Sequence, residues 1–261
     1  MVDVDAGAVA LRPERRFHFD RRVVRWLSVV VVLGTWEVLG RGEPILASYP
    51  SAVVEAFIEN AGRIFEAFGA TMQAVAVGYF TAVVLGVLVG FAMARLRVAK
   101  VALNPYVAAL YSTPRITLIP VAILLFGIGF ELRVLMAVLA SVFPIIINTE
   151  AAVNSVPKEL QETARVFMAS RWDVTRTVLI PGSIPGIFVG FRVGIIRALI
   201  GVIVAEMTAG AAGVGALLLT FGRFFQAEKL FGPVLLLGFL SILLTQAILY
   251  AEKKVAPWQQ L

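Results

Sequence analysis

Four charged side chains lie where an apolar sequence should exclude them. Arg115, Arg192 and Arg197 fall inside long apolar runs, and Glu206 closes one of these runs. The chemistry open to such groups is electrostatic, because an unpaired arginine near the centre of a membrane helix costs about 2.5–3.5 kcal/mol on insertion scales. Arg192 lies eight residues past Ile184, about 12 Å along a helix, so its long side chain can reach back to an interface. Arg115 and Arg197 are deeper. Two roles stand open for them: lining a translocation path that favours an anion, or pairing with carbonyls or with Glu206. These four residues are the candidates for such a path. Covalent chemistry has little to work with. There is no cysteine, which removes disulfides and thiolate metal sites, and the one histidine, His18, sits in a charged N-terminal stretch. No Gly-Lys pair occurs, so the G-x-x-x-x-G-K-[ST] phosphate loop is missing. No metal, cofactor or catalytic constellation is expected in this chain.

The elements that position these charges follow from composition. Of 261 residues, 59% are hydrophobic and only 15% charged, with a mean hydropathy of +0.89, far from an average soluble domain. The chain reads as an all-α polytopic membrane protein with about six spans. A basic cytoplasmic tail, residues 1–22, precedes a membrane domain, 23–261. The first span, about Val23 to Leu39, is followed by Trp36-Glu37-Val38-Leu39-Gly40-Arg41 rather than by a small-residue cleavage site, so it reads as uncleaved. Glu37 and Arg41 can pair at i,i+4. The net charge of +6 is explained by membrane orientation rather than by nucleic acid.

From Pro50, residues Val54, Phe57, Ile58, Ala61, Phe65 and Phe68 share one helical face, which predicts an interfacial helix on the membrane or one packed on the protein's outer rim. The second span, about Met72 to Leu96, carries Gly86-x-x-x-Gly90 with Gly78 on the same helix. The third, about Ala102 to Phe130, is interrupted by Pro105, Pro114 and Pro120. Irregular backbone at membrane depth is tolerated only where protein or a watery cavity surrounds it. The fourth runs from about Leu132 to Asn148. The fifth, about Ile184 to Glu206, carries Gly186, Gly190 and Gly194 in one stripe suited to close helix packing. A loop with Gly213 and Gly215 leads to the sixth, about Gly232 to Tyr250.

Between the fourth and fifth spans lies a polar stretch, Pro157 to Pro181, of sequence PKELQETARVFMASRWDVTRTVLIP. Pro157 can open a helix, Glu159 and Glu162 suit the dipole of its first turns, and Val156, Leu160, Ala164 and Phe167 recur at helical spacing. The register of Glu162-Thr163-Ala164, then Met168, then Val178-Leu179-Ile180-Pro181 resembles the EAA loop of ABC-importer permeases. That pattern is Glu-Ala-Ala, three residues, Gly, nine residues and Ile-x-Leu-Pro. Thr163 and Met168 depart from it. The literal Glu150-Ala151-Ala152 does not fit, since the same count places Ala169 at the proline. Tyr111-Ser112-Thr113-Pro114-Arg115 and Phe126-Gly127-Ile128-Gly129 are similar to the subgroup that imports sulfonates, taurine, nitrate and related solutes, and Arg192 matches a family position. The resemblance runs from about Pro50 to Trp258.

What the resemblance implies is a type I importer permease fold whose coupling loop, residues 150–182, meets a separate ATPase. Leu160, Glu162, Ala164, Val166, Phe167, Met168 and Pro181 are its candidate coupling residues. Partner ATP-binding subunits would hold ATP and Mg, a second permease copy would complete the pore, and an extracytoplasmic binding protein would deliver a small, anionic solute. Lysine and arginine counts agree on orientation: fifteen lie on the side of the N-terminus and the loop against five on the other, which predicts cytoplasmic termini in a bacterial inner membrane. The competing expectation is an ion-gradient-driven secondary carrier, which often shows inverted repeats and embedded carboxylates. It leaves the Glu162-to-Pro181 register unexplained.

Overall fold

The structure is a computed structural model that describes residues 21–42, 48–210 and 212–260. The basic tail expected over 1–22, including His18, lies outside the described residues up to 20. Among the described residues the chain is helical with no strand. The helices are α1 (Arg21–Gly42), α2 (Pro50–Glu59), α3 (Ala61–Arg95), α4 (Arg97–Ser112), α5 (Ile119–Phe126), α6 (Phe130–Asn154), α7 (Lys158–Val166), α8 (Arg171–Val174), α9 (Ile180–Ala209), α10 (Val214–Arg223) and α11 (Ala227–Val255). Five are long and apolar enough to cross a membrane: α1, α3, α6, the continuous run from α8 through α9, and α11. The expected third span is a broken one. α4 ends at Ser112, and the segment Arg115–Phe126 leaves it at 95°, the turn falling at Thr113-Pro114, where proline disfavours helix in the residue before it.

The core is a three-helix layer of α3, α6 and α9. α3 and α6 run parallel and α9 antiparallel to them, since Gly86 meets Ile145 and Gly90 meets Thr149, whereas Gly190 meets Asn148 and Gly201 meets Met136. Small residues set this distance. A methyl group at Gly90 would stand 2.6 Å from the carbonyl oxygen of Ile146, and one at Gly201 would stand 2.7 Å from that of Met136. Backbone cannot yield there as a side chain can. Ala74, Ala137, Ala198 and Val202 fill the seam between them.

The helix expected from Pro50 is two helices. Asn60 ends α2, its side-chain amide donating to the Ala56 carbonyl, and α3 starts afresh at Ala61. The break resets the helical phase, so the stripe through Val54, Ile58 and Phe65 stays exposed while Val53, Ala56, Ile64 and Phe68 are buried. Ile64 and Phe68 pack with Val214, Leu217 and Phe221 of α10, on the bundle's rim. The fifth span also starts earlier than expected. A π-turn over Thr175–Leu179 joins α8 to α9, directly before Pro181, whose ring would clash with the Thr177 carbonyl in an unbroken α-helix.

Candidate functional site

The polar loop folds around α7. Pro157 is extended and caps α7 at Lys158, and Gln161 donates to the Val156 carbonyl. Of the helical repeat Val156, Leu160, Ala164 and Phe167, only Val156 is buried. Ala164 is half-buried, and Leu160 and Phe167 are exposed. α7 has no buried residue of its own. Val166, Phe167 and Met168 are 80%, 81% and 92% exposed, with Trp172 beside them. Four large apolar groups thus stand in the open on an otherwise polar loop.

The helix end explains the glycine of the EAA pattern. The N–H of Met168 donates to the Arg165 carbonyl and that of Ala169 to the Ala164 carbonyl, the paired bonds of a Schellman ending. Such an ending requires a left-handed residue, and Met168 supplies it at φ 59°. The sharp turn therefore forms without glycine, at a cost of about 1–2 kcal/mol for an L-residue. Ser170 then starts α8 with a capping box to Asp173, which fixes the direction of return.

Glu162 is exposed and, among the described residues, is in no ion pair. It borders a polar cleft of about 320 Å³ between α7 and the ends of α3 and α6, which Arg95, Lys158 and Arg165 also line. Arg95 crosses to the Thr175 hydroxyl, and Lys100 pairs with Glu150 at 2.9 Å. Pro181 lies half-buried at the start of α9.

The membrane-embedded charges separate into three settings. Arg192 pairs with Glu252 of α11 at 3.4 Å. Glu206 is fully buried near the opposite end, and its partners are neither Arg115 nor Arg197. Its carboxylate accepts from the Thr71 hydroxyl at 2.9 Å, the Gly215 N–H at 2.9 Å and Arg133 at 3.4 Å. The Thr71 oxygen in turn accepts from the Val214 N–H at 2.9 Å, and Arg133 also donates to the Ala70 carbonyl at 3.1 Å. One buried cluster thus ties α3, α6, α9 and the start of α10. Gly213 passes this carboxylate at φ 110°, with no room for a side chain. From the sequence, Arg133 is one of the five basic residues on the outer side of the membrane. The available signal was its depth: Arg133 and Glu206 each lie three residues inside the same end of neighbouring spans.

Arg115 and Arg197 form the third setting. Arg115 opens the turn after the α4–α5 break, donates Nε–H to the Leu139 carbonyl at 3.1 Å, and stands 5.7 Å from the Tyr111 ring centre. Leu139 lies nine residues into α6, about 14 Å from its start. Arg197 is exposed on α9, about 26 Å from Ile180 and about 18 Å from Ala209 at helical rise. α9 packs against the turn that Arg115 opens.

An antiparallel-and-parallel core of close-packed spans, a broken span and an exposed loop helix can carry a conformational signal. The sequence profile described as "Binding-protein-dependent transport system inner membrane component" matches residues 82–258. The chain belongs to this family. Relatives of this permease include the nitrate import permease protein of Leptolyngbya laminosa, 26% identical over 92% of this chain and 90% of the relative. The riboflavin transport system permease protein of Chloroflexus aurantiacus is 31% identical over 82% of this chain and 83% of the relative. The putative aliphatic sulfonates transport permease protein of Bacillus subtilis is 26% identical over 98% and 94%. Among solved structures, a MetNI methionine ABC transporter in an inward-facing conformation aligns with a TM-score of 0.63 at 21% identity, covering 71% of this chain and 93% of that one. An amino acid ABC transporter aligns with a TM-score of 0.58 at 16% identity, covering 78% and 97%. The permease therefore has the fold of ABC-importer permeases.

Proposed function

We propose that this permease is the membrane subunit of an ATP-driven importer of a small anionic solute of the sulfonate, taurine, nitrate or aromatic-acid type. α7 is its coupling helix. The observation that carries this reading is the exposed apolar group Val166, Phe167, Met168 and Trp172 on a polar loop. Exposed apolar patches of this kind mark interaction surfaces. A groove on an ATPase subunit would cover it, with Leu160 and Ala164 along its edge and Glu162 reaching a basic partner group at the mouth of the cleft. The ATPase would hold ATP and Mg and supply the energy that this chain has no motif to take up. Pro181 and the π-turn before it would pass the motion from α8 into α9, so that closure of the ATPases swings the spans between inward-open and outward-open states.

α5 and α9 leave Val121, Leu124, Val193, Ile196 and Ile200 uncovered, which suits a second copy of the chain across the path. α10 and the start of α3 form the opposite mouth, where an extracytoplasmic binding protein would release solute. The lysine and arginine distribution supports a cytoplasmic α7 end and cytoplasmic termini, with the spans in a bacterial inner membrane. The test is affinity purification of the tagged permease in mild detergent. An ATPase subunit and ATP hydrolysis are expected in the eluate and are expected to be lost in Glu162→Arg, with membrane insertion unchanged. A variant that keeps its ATPase and normal uptake would remove Glu162 from the coupling role.

A further inference from the structure

Two guanidinium groups at the middle of the bundle have no anionic partner among the described residues, and the rest of the fold leaves none for them. Arg115 is held in place by the Leu139 carbonyl and the Tyr111 ring, yet its Nη2 is buried without a hydrogen-bond partner. Arg197 stands on α9, which packs against the turn that Arg115 opens, and makes no hydrogen bond or ion pair among the described residues. Its helical neighbours Val193, Ile196 and Ile200 are exposed and apolar. A charge in such a stripe is not tolerated against lipid, so this face meets protein or water.

A second copy of the chain does not supply the missing anion. Symmetry about an axis along the membrane normal keeps every residue at its own depth. Each membrane-spanning helix carries its Asp and Glu only within five residues of one of its ends, and the broken span from Arg97 to Phe126 carries none. The one fully buried carboxylate, Glu206, is engaged by Arg133, Thr71 and Gly215. A carboxylate at mid-depth is therefore absent from both copies over the described residues. The break at Thr113-Pro114 brings irregular backbone to the same level, the kind of place where membrane helices line a cavity.

We infer that Arg115 and Arg197 form an anion-binding site beside the α4–α5 break, which takes an oxyanion group of the solute, carboxylate or sulfonate, during its passage. Arg115, pinned at Nε, presents a fixed pair of donors, and Arg197 supplies a mobile second cation from the facing helix. Arginine suits this task because its planar fork matches the two oxygens of such a group. The inference rests on the permease reading above and specifies which side chains meet the solute inside the membrane.

The experiment uses the detergent-solubilised permease with its ATPase subunit. Thermal midpoints are followed by tryptophan fluorescence while sodium benzoate, sodium methanesulfonate or sodium nitrate is titrated against sodium chloride at matched ionic strength. At least one of the three is expected to raise the midpoint saturably beyond chloride. Arg197→Gln is expected to weaken that response about tenfold or more, with its midpoint without added anion no lower than the parent's, because Arg197 makes no hydrogen bond or ion pair among the described residues. Arg115→Gln should lose the response too, and Arg197→Lys should keep part of it. No response from any of the three anions, or an equal response in Arg197→Gln, overturns the site. ATPase co-purification in the same sample separates the two readings: a complex that hydrolyses ATP but ignores the anions removes the site and leaves the permease, and a chain purified without ATPase removes both.

Discussion

The end of the bundle where α9 meets α10 and the end that carries α7 depart from ordinary side-chain placement in opposite senses. Around Glu206 polar and charged groups are buried in an apolar bundle, and each finds its partner within this chain: Thr71, Arg133 and the first N–H groups of α10. Around α7 apolar groups are exposed on a polar loop, and nothing among the described residues covers them. The first arrangement is complete by itself and serves rigidity, since a buried network whose members are all satisfied locks helices in register. The second is incomplete and calls for a partner. The difference tells which end is a fixed frame and which is a docking surface.

The largest expected effect is at the frame. Arg133→Ala or Glu206→Ala leaves one buried charge without its partner and should cost about 3–5 kcal/mol, read as a lowered thermal midpoint of the purified protein. Replacing both with apolar residues, Arg133→Met with Glu206→Leu, should recover much of that loss. If both single variants were as stable as the parent, the claim that this end is locked would fail. Gly201→Val comes next. Its side chain would press on the Met136 backbone, and overpacking of this kind costs about 1–3 kcal/mol, seen as a smaller drop in the same midpoint. At the docking end the effects on the isolated chain should be slight or favourable. Met168→Gly removes a left-handed L-residue and should stabilise the α7 ending by about 1 kcal/mol, seen as roughly fivefold slower hydrogen exchange at the Ala169 amide. Slower exchange without a change in ATPase binding would show that the exposed methionine serves the turn alone.

Much of this was legible in the sequence. Apolar spans, the proline-broken third segment and the glycine seams follow from composition and spacing, because they are properties of single helices or of residue size. The Glu162-to-Pro181 register likewise marks its loop without reference to the rest of the chain. What could not be read were properties that depend on contacts across helices. Arg133 looked like a surface charge because its distance from the span's end, taken alone, permits that. Only the approach of α3, α9 and α10 makes it a buried partner of Glu206. The phase reset at Asn60 was hidden for a similar reason, since an apolar stripe through two helices imitates one through a single helix. The helical repeat of Val156, Leu160, Ala164 and Phe167 does not tell whether Leu160 and Phe167 face their own chain's core. Here they point away from it, and the Met168 turn holds them there.

That α7 is a cytoplasmic docking surface for an ATPase is directly measurable, because the sequence holds no cysteine. Met168→Cys places a single thiol at the tip of the exposed patch. In sealed membrane vesicles of inverted orientation, made with and without the ATPase subunit co-expressed, a membrane-impermeant maleimide should label this thiol rapidly when the ATPase is absent and slowly when it is present. Equal labelling in both preparations, or labelling only in vesicles of the opposite orientation, would contradict it.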